Sequence, residues 1–579
     1  MERTGAEETR RDWPSRTAWL VFAGGSVVSA ILVFWFGRNL TFTGDELSLV
    51  SLVVQLESGE LFDPYVGHLV PIPLLAYKAI IETLGTGHYA AFQALSVLAI
   101  VLLGAGMLCW AVRRVSEAVA LVPVLITLLF TGDLLHLLFG NGFVILFSVA
   151  CGVWALVVWD RGTRGGDLIA FVLLILALMT YTVGAAFAVG LLLSAAFGNR
   201  RRLWVAGLPL FAYALWRLFV ASSSVELEDG GIVWENLLLL PAWAFQATGL
   251  ILESMAGMGF DFLLDPNEGE GMISGYLAPS LAAGFLLLVL LRAQVGRLPR
   301  EFWLVAAITA ALFASQVLIW GSFEARSGPG RARYLYPGIV VVLLMLIEIA
   351  RGITWDRRRV RVLWVAGAIV VTAAIGSLVE PIERLERGAG LAKAETTAAF
   401  LLETTAEPPR VGEQPRAAIR KSFDASATAE LEDLRFDEAS LTEIRTKYAR
   451  AIDLFLAESL NLRLQPIQKK ARFGNCRPAA VGVTSPATRV ALGDFGTVLF
   501  TSRTLYLKVG RFGDRAERQL GPLFPGRPAR LFIPADDGLD PWYLEVGARS
   551  SGTMADLYLC DPLPAGRRQV SSGARNRNE

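Results

Sequence analysis

"TAWLVFAGGSVVSAILVFWF", residues 17–36, runs for twenty residues without a charge. As an α-helix it would be about 30 Å long, the thickness of a bilayer's hydrocarbon core. It is too long for the core of a signal peptide, and no small-residue cleavage site follows it, so it reads as a retained signal anchor. Similar runs recur through the first two-thirds of the chain. Of 579 residues, 54% are hydrophobic and only 18% charged, with a mean hydropathy of +0.48. A soluble chain carries about a quarter charged residues. The composition therefore describes a polytopic α-helical membrane protein whose first partner is the lipid bilayer. The net charge of +1 supplies no basic field, which excludes a nucleic-acid partner.

About eleven spans are expected: 17–36, 89–112, 117–131, 140–159, 167–180, 182–198, 203–220, 273–292, 301–320, 334–351 and 361–378. Loop charge then chooses sides. The basic loops are the N-terminal tail (Arg10, Arg11, Arg16), Arg113–Arg114, Arg161 with Arg164, "NRRR" at 199–202, Arg292 with Arg297 and Arg300, and "RGITWDRRRVR" at 351–361. A cytoplasmic N-terminus puts all of them inside a cell (plasma) membrane. Loops 37–88, 132–139, 221–272 and 321–333 and the C-terminal 200 residues or so then face outward. Two further apolar stretches, "HLVPIPLLAYKAIIETLG" (68–85) and "VWENLLLLPAWAFQATGLILES" (233–254), carry prolines and charges. They are expected as interfacial or re-entrant helices on the outer face.

The first outer loop opens with "TFTGDELSLV", residues 41–50, and so sets two carboxylates, Asp45 and Glu46, close to the membrane surface. They begin a predicted amphipathic helix, "DELSLVSLVVQLESGE", apolar at 47, 49, 50, 53, 54 and 56. Acids in a first turn also favour the helix dipole, so the pair can be read simply as a helix start. Adjacent helical residues diverge by about 100°, so only one of the two can point into a given cavity.

The order of elements adds to this. The acidic pair and amphipathic helix lead to His68, then "VPIPLL" with Pro71 and Pro73, then a span ending in Arg113–Arg114. Further on, "GPGRARYLYPGIV" (328–340) sets Arg331, Arg333, Tyr334, Tyr336 and Pro337 at the entry to a late span. Across residues 17 to about 378 this order resembles the GT-C membrane glycosyltransferases, the superfamily of protein O-mannosyltransferases and aminoarabinose transferases. Their first outer loop carries an acidic pair, followed by a His-Pro-Pro-Leu-like element, which here takes a looser form.

The resemblance implies a GT-C-like fold and a transferase. Such an enzyme takes a sugar from a polyprenyl-phosphate carrier to a glycan, lipid or protein acceptor on the outer face. Its catalytic acid maps to Asp45 first and Glu46 second, as the general base that removes the acceptor's proton. The leaving lipid phosphate needs fixed positive charge, and arginine binds phosphate oxygens with a planar fork. Arg331 and Arg333 are the first candidates for that role, with Tyr334, Lys78, His68 and Arg326 beside them. Asp133 and His136, in the short second outer loop, are candidates for acceptor or metal binding, since some superfamily members use a divalent cation (Mg, Mn or Ca). A second function class is a transporter or flippase of a lipid-linked saccharide, and a third is a non-catalytic envelope scaffold. Ion-coupled transport usually places ionisable residues deep in the spans, where this sequence is almost free of them.

After the last span the composition turns polar. The expected organisation is a cytoplasmic tail (1–16), the transmembrane domain (17–379), an extracytoplasmic helical linker region (380–475), a β-sandwich of jelly-roll type (476–565) and a disordered tail (566–579). Short β-rich runs broken by Gly, Pro and Asp carry the sandwich. Cys476 and Cys560 bracket it and are expected to form a disulfide in an oxidising compartment. Trp542 and Tyr543, in "DDGLDPWY" (536–543), offer either a sugar-stacking site or buried aromatics after a turn.

Overall fold

In the computed structural model, the residues described are 13–42, 59–65, 67–85, 88–129, 138–221, 234–256, 277–319, 332–376, 448–460, 462–467, 473–480, 488–492, 497–516, 518–533, 541–548 and 556–562. Glu46, Leu49, Val50, Leu52, Val53, Leu56, Ile382, Glu386, Ala389 and Gly390 complete them. The chain divides into two units, Met1–Ala389 and Gly390–Glu579.

The first unit is helical. The anchor forms α1 (Arg16–Gly37). The proline-rich outer stretch forms the short α2 (Pro71–Leu84), with proline in its first turn, where the missing N–H has no intrahelical partner to lose. At 14 residues α2 is about 21 Å long, too short to cross a bilayer. Its Pro71, Pro73, Leu74 and Tyr77 are buried while Leu75 and Leu84 are exposed, the one-sided pattern of a surface helix. Next come α3 (Tyr89–Ala111), α4 (Glu117–Leu129), α5 (Gly142–Trp159), α6 (Arg164–Leu178), α7 (Val183–Ala196) and α8 (Leu203–Trp216), which runs on as a wider turn to Ala221. The sequence "LMTYTVG" is a tight turn between α6 and α7. The remaining helices of this unit are α9 (Leu240–Met255, entered by a 3-10 turn from Trp234), α10 (Ala278–Val295), α11 (Arg300–Ile319), α12 (Ala332–Ala350) and α13 (Arg357–Gly376).

Eight of the described helices are long and apolar enough to cross a membrane, and shorter apolar helices lie at 117–129, 183–196 and 334–350. Trp234–Met255, expected at the interface, is among the eight by length and composition. Its hydrogen bonds to α11 lie near one end of that helix. Asn236 donates to the Val317 carbonyl at 3.1 Å and the Trp243 indole to Gln316 at 3.2 Å, both near the end of α11. Gly249 sits against the backbone of Ala278, the first residue of α10, and Gly338, two turns into α12, faces Ile251. The helix thus packs against α10, α11 and α12.

Small residues let the bundle close. A Cβ on Gly152 would fall 2.4 Å from the Phe187 ring, one on Gly190 would fall 2.3 Å from Ile308, and one on Gly104 would fall 2.8 Å from Leu128.

The basic loops gather at one end. Ser15 caps α1 and donates to Glu117 through its N–H at 2.7 Å and its hydroxyl at 2.6 Å. Arg161 lies over Trp13. Arg114 stacks on Trp110, pairs with Asp160 at 3.3 Å and is bonded to the fully buried Glu348. Arg351 joins Glu348 to Glu301. Arg202 pairs with Asp167, and Arg300 donates to the Ser194 carbonyl at 2.7 Å. Loops that the charge pattern assigned to one face thus meet at one end, and the acidic first loop belongs to the other.

The second unit holds α14 (Ala449–Ser459) and strands β1 (Leu464–Pro466), β2 (Phe473–Ala480), β3 (Thr488–Ala491), β4 (Thr497–Thr501), β5 (Leu505–Gly510), β6 (Arg518–Leu523), β7 (Ala529–Leu531), β8 (Tyr543–Ala548) and β9 (Leu557–Pro562). They form two antiparallel sheets, β1-β7-β4-β9-β2 and β3-β8-β5-β6. Alternate residues of both sheets, Leu499, Leu507, Leu531, Val546 and Leu559 among them, share one core with Ile452, Phe455 and Leu456 of α14. The sandwich starts at Leu464, ahead of Cys476, because β1 is an edge strand paired to β7. Cys476 and Cys560 are register partners of β2 and β9 and are disulfide-bonded.

Candidate functional site

Glu46 is fully buried. It is helical, as are Leu49, Val50, Leu52 and Val53. The buried members of this stretch are 46, 49, 50, 53 and 56, one stripe at helical spacing. Glu46 therefore stands on the face of the first outer helix that packs inward. Asp45 lies outside the described residues.

Three elements supply what a buried carboxylate requires. The Tyr77 hydroxyl, from α2, donates to Oε1 at 2.8 Å. The Tyr89 hydroxyl, from the first turn of α3, donates to Oε2 at 2.8 Å. Backbone N–H groups of Gly140 and Asn141 add to these. The Gly140 N–H also donates to Tyr89 Oη at 3.3 Å. The stretch ahead of α5 is pinned from behind. Gln93 donates to the carbonyls of Leu138 at 2.8 Å and Gly37 at 3.0 Å, and Ser96 donates to Phe139 at 2.8 Å. Gly140 has no room for a side chain, since a Cβ would fall 2.5 Å from Glu46 Oε1, 2.7 Å from Phe92 and 2.8 Å from the Tyr77 hydroxyl. Phe42 packs edge-on against Phe92 and Tyr89, with ring centroids 4.9 and 5.0 Å apart.

Burial pushes the Glu46 carboxyl up to about 7, against the pull of Tyr89, Tyr77 and the two backbone donors. Burial, with the carboxylate beside it, holds the Tyr77 hydroxyl well above the ordinary tyrosine range, so it stays a donor. An acid that titrates near neutrality can take a proton and give it back at working pH. Tyr77 is fully buried and Tyr89 is half-buried.

The other expected residues divide. Lys78 donates to the Leu56 carbonyl at 3.2 Å, fastening α2 to the end of the first outer helix. His68 packs on Tyr181, with ring centroids 4.4 Å apart, and its Nδ1 lies 3.3 Å from the Thr182 hydroxyl. It closes a small turn with Tyr65 in which Gly67 takes a positive φ of 75°. Arg217, at the end of α8, donates to the Gly67 carbonyl at 3.1 Å. His68 thus holds the outer loop onto the turn between α6 and α7, while Lys78 ties two parts of that loop together. Tyr334 is half-buried in the first turn of α12, and Arg333 is helical there too. Arg326, Arg331, Asp133 and His136 lie outside the described residues. Among the described residues, no three His, Cys, Asp or Glu side chains converge as a metal site.

In the second unit, Trp542 and Tyr543 are 3% and 8% exposed. Tyr543 donates to the Gly513 carbonyl at 2.7 Å, and Trp542 lies in the sandwich core. Neither ring offers a face to a sugar, which corrects the stacking role in favour of the buried-aromatic reading.

Sequence reading passed over Tyr77, Tyr89 and Gly140. A signal was present: Tyr89, Gln93 and Ser96 form one polar stripe in an otherwise apolar span.

No family model and no curated protein matches the chain. Among solved structures, it is similar in fold to the crystal structure of ArnT from Cupriavidus metallidurans bound to undecaprenyl phosphate, at 13% identity and a TM-score of 0.44, over 78% of this chain and 96% of that one. At that level the likeness lends no residue a role.

Proposed function

We propose that this chain is a membrane glycosyltransferase that moves a sugar from a polyprenyl-phosphate carrier to an envelope glycan, lipid or protein acceptor on the outer face. The observation that carries the reading is Glu46: a buried carboxyl near 7, in the loop after the first span, at the end of the bundle away from the basic loops. The order of sequence motifs assigns a catalytic acid to the same loop. Glu46 rather than Asp45 is taken as the base, because the packed face of the helix carries it. As the acceptor oxygen attacks the anomeric carbon, the base takes its proton, and the bond to the carrier phosphate breaks toward the phosphate. Arg331 and Arg333, with Tyr334, Lys78 and Arg326 as further candidates, would meet the leaving lipid phosphate.

The test is mass spectrometry of envelope glycans and glycolipids in the wild type, a deletion, and deletions complemented with Glu46→Gln or Asp45→Asn at matched expression. Loss of one sugar in the deletion, restored by the wild type and not by Glu46→Gln, is the expected result. Restoration by both variants would remove the carboxylate chemistry and favour a transport or scaffold role.

A further inference from the structure

Glu46 cannot meet an acceptor directly in this arrangement. It is fully buried, and each carboxylate oxygen already accepts a tyrosine hydroxyl. Of the two tyrosines, Tyr77 is sealed behind α2, packed 4.9 Å from the Phe92 ring and against Gly140. Tyr89 is half-buried, with its hydroxyl end turned inward to Glu46. Its oxygen donates to Glu46 Oε2 and accepts the Gly140 N–H at a long 3.3 Å, which leaves a lone pair for one further donor. Among the described residues, the titratable groups facing Glu46 are Tyr77 and Tyr89, with Tyr65 acting on Tyr77.

We propose that Tyr89 is a catalytic residue that relays the acceptor's proton to Glu46. This rests on the glycosyltransferase reading above. The acceptor hydroxyl donates to Tyr89 Oη. As its oxygen bonds to the anomeric carbon, its proton passes to Tyr89 Oη while the Tyr89 proton passes to Glu46 Oε2. The carbon–oxygen bond to the carrier breaks, and the electron pair leaves with the lipid phosphate. Tyr89 ends neutral and Glu46 protonated. The relay lets the base stay dry, so it needs no direct opening to the acceptor.

Tyr77 is the internal control, since it gives Glu46 an equivalent hydrogen bond without reaching the surface. Pulse-labelled sugar incorporation would be followed in complemented deletion cells at medium pH from about 6 to about 8.5, around the range where the base titrates. Tyr89→Phe is expected to lower the rate at least about 100-fold across the range, the scale of a lost proton-transfer step. Tyr77→Phe is expected to lose rate on the acid side alone and recover as pH rises. Recovery of Tyr89→Phe at high pH, parallel to Tyr77→Phe, would reduce Tyr89 to a hydrogen-bond donor and overturn the relay. If Tyr89→Phe fails to accumulate, 3,5-difluorotyrosine at 89 keeps the hydroxyl and makes it more acidic. The relay then requires a new fall in rate on the alkaline side, and a flat alkaline limb overturns it. Full activity of Glu46→Gln would instead remove the underlying glycosyltransferase assignment, whatever Tyr89 does.

Discussion

The backbone of Gly140 lies directly against the carboxylate of Glu46, so close that a Cβ there would stand 2.5 Å from Oε1. Two loops separated by almost a hundred residues are thus fitted to each other at one point. Gly140→Ala must push Glu46, Phe92 or Tyr77 aside. An overpacking cost of about 1–3 kcal/mol is expected, with loss of transfer activity. Gly59→Ala, at a position with nothing within 4 Å, is the matched control. Thermal unfolding of the purified full chain in detergent checks both.

Glu46 links stability to pH. Its carboxyl rises from an ordinary 4.5 to about 7 because burial disfavours the charge. The folded protein holds that proton more tightly than the unfolded chain. The group's contribution is therefore fully present below about pH 4.5 and is lost as pH climbs through about 7, by up to about 3 kcal/mol. Glu46→Gln removes the charge. It is expected to raise the melting temperature at pH near 8 relative to wild type, to do little near pH 5, and to abolish transfer at both. A wild-type-like melting curve at high pH would show that the carboxylate is better solvated than its packing implies.

At the basic end, Arg114 and Glu348 depend on each other. Removing one partner leaves the other buried and uncompensated, at a cost of about 3–5 kcal/mol. Arg114→Leu and Glu348→Leu should each depress the yield and melting temperature of the purified protein. The double variant should recover much of the loss, since two apolar side chains need no partner there. If the double variant is as unstable as the sum of the singles, the pair is not a coupled unit.

The sandwich carries its own test. Cys476 and Cys560 close a loop of 84 residues, a constraint on the unfolded state worth about 4.5 kcal/mol in the chain-entropy model. The Cys476→Ser, Cys560→Ser variant of the full chain should lose protease resistance in the second unit while its helical unit melts unchanged. Asp453→Ala should act on the same unit, because one carboxylate accepts the N–H groups of Arg511, Phe512 and Gly513 at 2.7–2.8 Å.

The helical bundle was legible because lipid imposes length and apolarity on each span, and the positive loops mark their shared end. The short apolar runs expected at 117–131 and 182–198 appear as helices Glu117–Leu129 and Val183–Ala196, so hydropathy recognised them even though they fall below the usual span length. The site was half legible. Its acid pair stood out as charge beside a span, but the sequence ranked Asp45 ahead of Glu46, because a helix rotation of one residue decides which of them faces inward. Tyr77 and Tyr89 did not stand out, since tyrosine at a membrane surface is ordinary. Their meaning comes from three segments converging, which no local pattern encodes. At Trp542 the sequence left two readings, a sugar-stacking ring beside Asp536 and Asp537 or a buried aromatic after a turn, and only the packing of the sandwich distinguishes them.

The bond between Arg114 and Glu348 spans 234 positions of the chain. A ribosome delivers the arginine long before the glutamate exists. Until α12 arrives, Arg114 has Asp160 and the Trp110 ring to hold it at the membrane boundary. The first helices can therefore settle early, but the final closure at that end waits for synthesis to reach residue 348. A chain truncated ahead of that point would carry a full set of early helices with an unanswered charge at its rim, a mark by which membrane quality control could distinguish an unfinished molecule from a finished one.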